Sequence, residues 1–334
     1  MVAASNRQIL LVQVPDGKLR PEHFALRVAD IPPAHDGDVS LRVHFLSLDA
    51  ASRAWMHGAT YRDAVVAGSV MAGAAVAEVV ASKAPGFAAG DLVFADTGWQ
   101  EYAVLPAKRL MRLPKLEPMT HLLSVYGIAG LTAYFGLLKI AAPQPGETVV
   151  VSAAAGSVGS LAGQIAKIKG CRVVGIAGTQ AKCDWLVREL GFDAAVDYKA
   201  GGTFKALKEA APKGIDVYFD NVGGEIFEAC LAQMTIGGRI SCCGAISAYD
   251  GAPPTSGPRG VPGLIVIKRL TVRGFIVTDF FAERDAAIAE LNGWVAANQL
   301  KVEEDVIEGL ENTPAALIGL LAGENRGKRM VKVA

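Results

Sequence analysis

Residues 149–159 read Val149-Val150-Val151-Ser152-Ala153-Ala154-Ala155-Gly156-Ser157-Val158-Gly159. A β-branched apolar run that enters a glycine turn and opens a helix is the pattern that binds a dinucleotide. Gly156 lets backbone approach a pyrophosphate, and Gly159 lets the helix pack close to the strand. Ser157, Val158 and Gly159 open a helix whose free N–H groups and positive dipole end face an anion. Ala154 stands where the first glycine of Gly-x-Gly-x-x-Gly belongs. The motif therefore gains its weight from its place at the head of a strand–helix series. The end of the next strand selects the dinucleotide. Gly175-Ile176-Ala177-Gly178-Thr179-Gln180-Ala181-Lys182 carries no acid to accept the ribose hydroxyls. Gly178 opens space and Lys182 brings positive charge, which suits a 2′-phosphate and points to NADP(H). The alternative for Lys182 is a solvated surface side chain.

Other chemistries find no constellation. His23, His35, His44, His57 and His121 are scattered, and the five cysteines have neither zinc spacing nor a Cys-x-x-Cys pair. No Gly-x-Ser-x-Gly elbow offers a serine nucleophile. Tyrosine remains for proton work. Tyr126, Tyr134 and Tyr218 lie in apolar stretches and read as core, whereas Tyr61 and Tyr249 lie in polar, glycine-containing loops where a phenol can reach a ligand.

The elements that must position these groups fall into two patterns. The first third reads as strands at Ile9–Val14, Val39–Leu48, Val70–Val80, Leu92–Ala95 and Trp99–Val104, separated by Pro-Gly and Gly-Asp turns. This is a β-rich, barrel-like domain. After an apolar helix that ends before Pro143, strands and helices alternate. Strands are expected at 148–153, 172–176, 194–197, 216–220, 238–243 and 270–277, and helices at 158–169, 181–190, 204–210, 225–233 and 283–298. Such alternation implies an α/β fold with a doubly wound, parallel, six-stranded sheet. A helix at 314–322 and a strand at 328–333 are too short to fold alone and return to the first domain. The expected division is 1–123, 124–305 and 306–334. The Pro/Gly stretch Gly251–Gly263 reads as one long loop.

Composition narrows the partner. The 334 residues are 51% hydrophobic, with 33 basic and 33 acidic side chains. A neutral chain has no electrostatic reason to seek nucleic acid or an anionic membrane, so its partner should be a small molecule. The uncharged stretches Leu122–Leu138 and Thr148–Ala166 are rich in Gly, Ala, Ser and Thr and read as α/β core rather than membrane spans. An odd cysteine count without a framework suits a reducing cytoplasm, and Cys242-Cys243 should pack as small hydrophobes. The short polar start, Met1–Arg7, has no apolar signal core behind it.

With a β-rich domain first and the degenerate glycine turn after it, the chain resembles the zinc-free medium-chain dehydrogenase/reductases. It is most similar to their leukotriene B4 12-hydroxydehydrogenase, prostaglandin reductase and 2-alkenal double-bond reductase group. The resemblance spans nearly the whole chain. It rests on Phe45-Leu46-Ser47-Leu48-Asp49, Ala153–Gly159, Gly163-Gln164-Ile165-Ala166-Lys167, Tyr218–Gly224, Cys243–Ser247 and Glu324-Asn325-Arg326-Gly327-Lys328. It implies a GroES-like domain interrupted by a Rossmann domain, a homodimer formed through the Rossmann sheets, and NADPH-dependent reduction of the C=C bond of α,β-unsaturated aldehydes or ketones. By position, Gly156 to Gly159 would cradle the pyrophosphate and Lys182 and Tyr198 the 2′-phosphate. Asn221, Cys243, Gly244, Phe275, Val277 and Asn325 would line the ribose and nicotinamide sites. Hydride would reach the β-carbon, an enolate would form, and a proton would arrive at the α-carbon from a tyrosine or water. Tyr61 and Tyr249 match tyrosines bordering this group's substrate pocket.

One segment departs from the group. Where Leu-Asp-Pro-Tyr-Met-Arg is common, this chain reads Leu48-Asp49-Ala50-Ala51-Ser52-Arg53. Either the pocket is wider at Ala51, or Trp55 or Tyr61 fills the space. Two other functions stay open: a quinone reductase of the same superfamily, and an NADP(H)-binding sensor without turnover.

Overall fold

A computed structural model describes residues 5–250 and 257–334. The chain begins with β1 (Ser5–Leu11), β2 (Phe24–Asp30), β3 (Asp38–Ser47), a short helix α1 (Ala51–Ala54), β4 (Ala74–Ser82), β5 (Leu92–Asp96), β6 (Tyr102–Pro106) and β7 (Met111–Leu113). It continues with α2 (Ile128–Phe135), β8 (Thr148–Val151), α3 (Ser157–Ile168), β9 (Arg172–Ala177), α4 (Gln180–Arg188) and β10 (Ala194–Asp197). Next come α5 (Thr203–Ala210), β11 (Ile215–Asp220), α6 (Gly224–Gln233), β12 (Met234–Cys242), α7 (Val261–Lys268), β13 (Thr271–Gly274) and α8 (Arg284–Ala296). The chain closes with β14 (Glu304–Glu308), α9 (Thr313–Leu321) and β15 (Lys328–Lys332).

Alternation in β3 explains the first domain. Val39, Leu41 and Val43 point into a core with Trp99, Met71 and Val79, and Arg42 points out. One edge of β3 pairs with β4, while the other is shared by β6 at residues 38–42 and β15 at residues 45–47. The sheet order is β14-β15-β3-β4-β5-β7, with β6 beside β3. The C-terminal strands thus complete the sheet that the N-terminal third begins. β14 spans the expected boundary at residue 305 and lies wholly in this sheet.

The second sheet has six parallel strands in the order β10-β9-β8-β11-β12-β13. β8 is the central strand where sequence order reverses. Its residues are fully buried because helices cover both faces: Val149 and Val151 enter one cluster with Leu161 and Ile165, and Val150 enters the other with Val174 and Tyr218. Cys243 packs against the first cluster and Cys242 against the second, so this vicinal pair straddles the sheet as small hydrophobes. No helix of the described residues is long and apolar enough to cross a membrane. Leu122–Leu138 breaks into separate turns around α2, and Thr148–Ala166 is β8 plus most of α3.

Several boundaries differ from the sequence reading. β2, β7 and β14 were not expected. β2 exposes Leu26 and Val28, so its apolar residues do not mark a buried face. β6 starts at Tyr102 because Gly98, at φ +70°, turns the chain, and Trp99 stacks on Phe24 with centroids 5.5 Å apart. β4 starts at Ala74 rather than Val70, and β13 stops at Gly274, short of Val277. The expected loop 251–263 is corrected at its end, where α7 starts at Val261 with Pro262 in its first turn. Residues 251–256 of that loop lie outside the described residues.

Candidate active site

Ligands in doubly wound folds bind beyond the C-terminal strand ends where the strand order reverses, here between β8 and β11. Those two ends are tied together. Ser152 Oγ donates to Asp220 Oδ1 at 3.2 Å and accepts the Asn221 N–H at 2.9 Å, and Asn221 Nδ2 donates to the Ser152 carbonyl at 2.7 Å. The buried Asp220 carboxylate also accepts Tyr218 Oη at 2.6 Å and the N–H groups of Val222 and Gly223 at 3.0 and 2.9 Å. These donors satisfy the carboxylate and fix the turn that carries Asn221. Tyr218 is buried core, as its strand position implied.

At the glycine turn, Ala153 adopts a left-handed φ of +47°, costly for a residue with a Cβ, and thereby aims the chain into α3. A Cβ on Gly159 would lie 2.4 Å from the Ala153 carbonyl oxygen, so only glycine lets α3 start against the end of β8. A Cβ on Gly156 would meet only that same oxygen, at 3.2 Å. The space over Gly156 is open. Ser157 Oγ, in the first turn of α3, is buried and has no hydrogen-bond partner among the described residues. An orphaned hydroxyl beside an open glycine at a helix N-terminus fits a pyrophosphate.

This turn lines a cavity of about 720 Å³ between the two sheets. The same cavity is lined by Ser157, Val158, Gly178, Lys182, Tyr198, Asn221 and Asn325. At Gly178 a Cβ would come within 3.0 Å of Tyr198 Cε1 and 3.2 Å of Lys199 Cε. Lys182 is half-buried, and its ammonium donates to the carbonyls of Gly323 and Asn325 at 2.7 and 2.5 Å. Burial pushes the Lys182 ammonium pKa down, and Lys199 and Arg329 push the same way. Sequence reasoning passed over Lys199, which also lines the cavity; its place beside Tyr198 in the β10 turn was the available signal. Asn325 is tied to the turn's neighbourhood through Nδ2 to the Gly327 carbonyl at 2.9 Å, and the Gly327 N–H reaches the Ala155 carbonyl at 2.9 Å.

The opposite wall comes from the first domain: Lys18, Leu19, Leu48, Asp49 and Ala50. Asp49 accepts from the buried Lys328 ammonium at 2.6 Å and from Ser47 Oγ at 2.6 Å. Burial raises the Asp49 pKa, but Lys328 and Ser47 more than offset it and hold the carboxyl below its ordinary value.

The remaining candidates lie elsewhere. Cys243 packs in the sheet core, and its thiol is pushed up to about 12, first by burial and then by Asp220. Phe275 packs over Gly136, whose Cβ would lie 2.3 Å from Phe275 Cζ. Val277 is buried with Leu131 and Phe135. Gly244 sits in the turn after β12, where Tyr249 Oη would be 3.7 Å from an added Cβ. Tyr249 Oη accepts the Ala245 N–H at 3.2 Å, and Tyr249 lines a second cavity beside His57 and Thr60. Tyr61 is 61% exposed and meets Trp55 edge to face, with centroids 6.4 Å apart. Neither tyrosine lines the larger cavity. Ala51 packs toward the core of the first domain, and Trp55 is buried in that core. Ala50 is the residue of α1's approach that faces the larger cavity, so Trp55 and Tyr61 do not fill it.

Comparison with known proteins agrees with this architecture. The family description "N-terminal domain of oxidoreductase" matches residues 7–113, and "Zinc-binding dehydrogenase" matches residues 157–293. Among the described residues, no three His, Cys, Asp or Glu side chains come together as metal ligands do. Prostaglandin reductase 1 of Bos taurus is 44% identical over 92% of this chain and 93% of its own. The NADP(+)-dependent 2-alkenal reductase of Nicotiana tabacum is 38% identical over 99% of this chain and 98% of its own. CurA from Vibrio vulnificus, solved in complex with NADPH, superposes with a TM-score of 0.94 at 40% identity, covering 98% of this chain and 99% of its own. The chain belongs to the zinc-free group of the medium-chain dehydrogenase/reductases.

Proposed function

We propose that this protein is an NADPH-dependent oxidoreductase that reduces the C=C bond of α,β-unsaturated aldehydes and ketones. One juxtaposition carries the reading. A single cavity joins the glycine turn, the Lys182–Lys199 cation pair and the Asp49 wall of the first domain, in a chain whose relatives are named for prostaglandin and alkenal reduction.

The chain's residues divide the work. Gly156 to Gly159, with the orphaned Ser157 hydroxyl, hold the pyrophosphate. Lys182, Tyr198 and Lys199 hold the 2′-phosphate, where positive charge meets a dianion. Asn221 and Asn325, which line the cavity, face the ribose and nicotinamide, while Cys243, Gly244, Phe275 and Val277 stand behind that wall and support it. When bound, NADPH supplies the hydride for the substrate's β-carbon. Tyr249 offers its O–H to the carbonyl oxygen, on which negative charge grows as an enolate develops, and Tyr61 borders the outer pocket. The α-carbon then takes a proton from a tyrosine or from water. Residues 1–123 and 304–334 form the substrate domain and 124–303 the cofactor domain, the expected boundary at 305 moving back so that all of β14 stays in the first sheet. A second copy docks along β13, the exposed edge of the six-stranded sheet, to give a homodimer.

The test follows absorbance at 340 nm for NADPH and NADH against 2-alkenals, enones and quinones. NADPH oxidation by an enone, with a saturated product and an intact carbonyl, is the expected result. Turnover with quinones alone would make the chain a quinone reductase, and NADPH binding without any turnover would make it a sensor.

A further inference from the structure

The first domain grips residues 249 and 250 at two points four residues apart. Arg53 Nε donates to Asp250 Oδ1 at 3.0 Å, and His57 Nε2 lies 3.3 Å from the Tyr249 carbonyl oxygen. A carbonyl only accepts, so this imidazole nitrogen carries the proton. Arg53 is fully buried, and its Nη2 also donates to the Gly17 carbonyl at 2.5 Å. Asp250 Oδ1 accepts the Leu19 N–H at 2.8 Å as well. One carboxylate oxygen therefore gathers α1, the segment 17–19 and the turn that ends at Asp250.

Simple stability does not account for this arrangement. Arg53 Nη1 is buried without a hydrogen-bond partner among the described residues, so the guanidinium keeps an uncompensated donor in its place. Replacing a buried ion pair by apolar side chains is often neutral or stabilising. A charge kept under that penalty is better explained by what it holds. Asp250 follows Tyr249 directly, and the Tyr249 phenol is only loosely fixed by its own turn, through the Ala245 N–H at 3.2 Å. A cavity of about 350 Å³ opens between the same two segments, bordered by Ala54, His57, Thr60, Ala248 and Tyr249. Its width is set by how firmly residues 249 and 250 are held.

We propose that Arg53 and His57 are positioning residues: they clamp the Tyr249–Asp250 backbone to the first domain and so fix where the Tyr249 hydroxyl meets the substrate's carbonyl oxygen. The clamp makes hydrogen bonds only. Its catalytic consequence rests on the double-bond reductase reading above. A donor displaced by a fraction of an ångström loses its aim at the developing oxyanion while cofactor contacts elsewhere stay intact.

The experiment uses the full-length chain with D250A, D250N and H57A; D250A strands the buried Arg53 charge, so D250N and H57A carry the test should D250A fail to fold. Amide hydrogen exchange over residues 245–250 and at Leu19 reads the clamp without any turnover. For D250A we expect exchange there to quicken by about tenfold or more, with protection in β8 and β11 unchanged. Enone kcat should fall about tenfold, by more than KM for NADPH rises, because Asp250 and Leu19 border the cofactor cavity on the wall opposite the glycine turn and the phosphate-holding residues are untouched. D250N, which keeps an acceptor for Arg53 and Leu19, should recover most of both losses, and H57A should show the same pattern at smaller size. Unchanged exchange in D250A overturns the clamp, and faster exchange with unchanged kcat overturns the positioning role. If the wild-type chain reduces no enone, the proposed function falls, and the exchange data alone decide whether the clamp exists.

Discussion

The Ala245 N–H donates to the Tyr249 phenolic oxygen at 3.2 Å. A phenol that accepts through its oxygen still has its own proton to give. Turning that proton toward a substrate carbonyl therefore breaks no existing bond, and acceptance from a backbone N–H makes the hydroxyl a better donor. Tyr249→Phe should lower enone kcat roughly 10²-fold while leaving NADPH affinity unchanged. Tyr61 is 61% exposed and touches Trp55 by its edge. Tyr61→Phe should therefore change kcat by less than about threefold, because water competes for an exposed hydroxyl. Stopped-flow NADPH oxidation on both variants checks the contrast, and equal losses would remove Tyr249 from the donor role.

Two glycines of the same turn should fail in different ways. A Cβ on Gly159 would sit 2.4 Å from the Ala153 carbonyl oxygen and 2.9 Å from Ala154 Cα, both backbone atoms that cannot swing aside. Alanine's gain in helix propensity is about 1 kcal/mol, and overpacking of this kind costs ~1–3 kcal/mol. Gly159→Ala should therefore lower Tm by several degrees. Gly156→Ala meets a single atom at 3.2 Å. Its Tm should move by no more than about 2 °C, while the methyl group stands where the pyrophosphate must approach and weakens NADPH by about tenfold or more. Thermal melts with and without NADPH separate the two.

The glycine turn, the alternating strands and helices and the central β3 were legible because each is written in local terms: β-branched runs, period-two alternation and turn residues. What was not legible depended on long-range pairing. β14 goes unannounced because its only strand partner among the described residues is β15, which is itself placed by its pairing with β3, far earlier in the chain. Ala51 is a similar case: the motif's resemblance points to a pocket position there, and the approach to α1 turns Ala50 toward the larger cavity and Ala51 toward the core. The Lys182 side chain reaches carbonyls more than 140 residues away, which no local pattern announces.

The Asp49–Lys328 pair ties the cavity wall to the C-terminal strand and sets a pH dependence. Lys328 is 2% exposed, and its ammonium is held by Asp49 Oδ1 at 2.6 Å and the Leu48 carbonyl at 2.9 Å. A carboxyl whose folded pKa is lowered contributes stability above its unfolded pKa, about 4, and loses it as pH falls through the folded value. Asp49→Asn should cost about 2–3 kcal/mol at pH 7, less than the ~3–5 kcal/mol of a fully buried pair because the Asp49 side chain is 38% exposed. That cost should shrink below pH 4. Urea melts between pH 3 and 7 check it, and a cost constant across that range would contradict the assignment.

The edge of the six-stranded sheet carries the prediction about assembly. All four residues of β13 are exposed, and the neighbouring α7 leaves Val266 and Ile267 at 73% and 69% exposure. A strand edge left unpaired among the described residues, beside bare β-branched side chains, is a surface that proteins ordinarily cover. The wild-type chain should elute at twice its chain mass by light scattering. Ile267→Glu should shift it to the monomer, because two buried carboxylates would face each other across a two-fold contact. A monomeric wild type would dismiss the dimer.

The cations at the adenine end give the sharpest discrimination between cofactors. Lys182 already spends two of its three N–H donors on the carbonyls of Gly323 and Asn325, so its loss releases the segment that carries Asn325 as well as a charge. Lys199 is exposed at the cavity wall beside Gly178 and Tyr198, with its Nζ 5.9 Å from the Tyr198 ring centroid. Its removal should subtract charge with little structural consequence. Lys199→Ala should weaken NADPH by about tenfold and NADH by less than twofold, with an unchanged Tm, since a charge-assisted contact to phosphate is worth ~1.5–3 kcal/mol and an exposed one falls at the low end. Lys182→Ala should weaken NADPH more than NADH, yet also lower Tm and cost NADH some affinity through the loosened Asn325 segment. Fluorescence titrations with both cofactors at two salt concentrations provide the check. The NADPH preference of the wild type should narrow at high salt, because screening of the shared pyrophosphate contacts cancels between the cofactors and leaves the weakened 2′-phosphate contact as the difference. Equal losses of NADPH and NADH in both variants would place the 2′-phosphate elsewhere in the cavity.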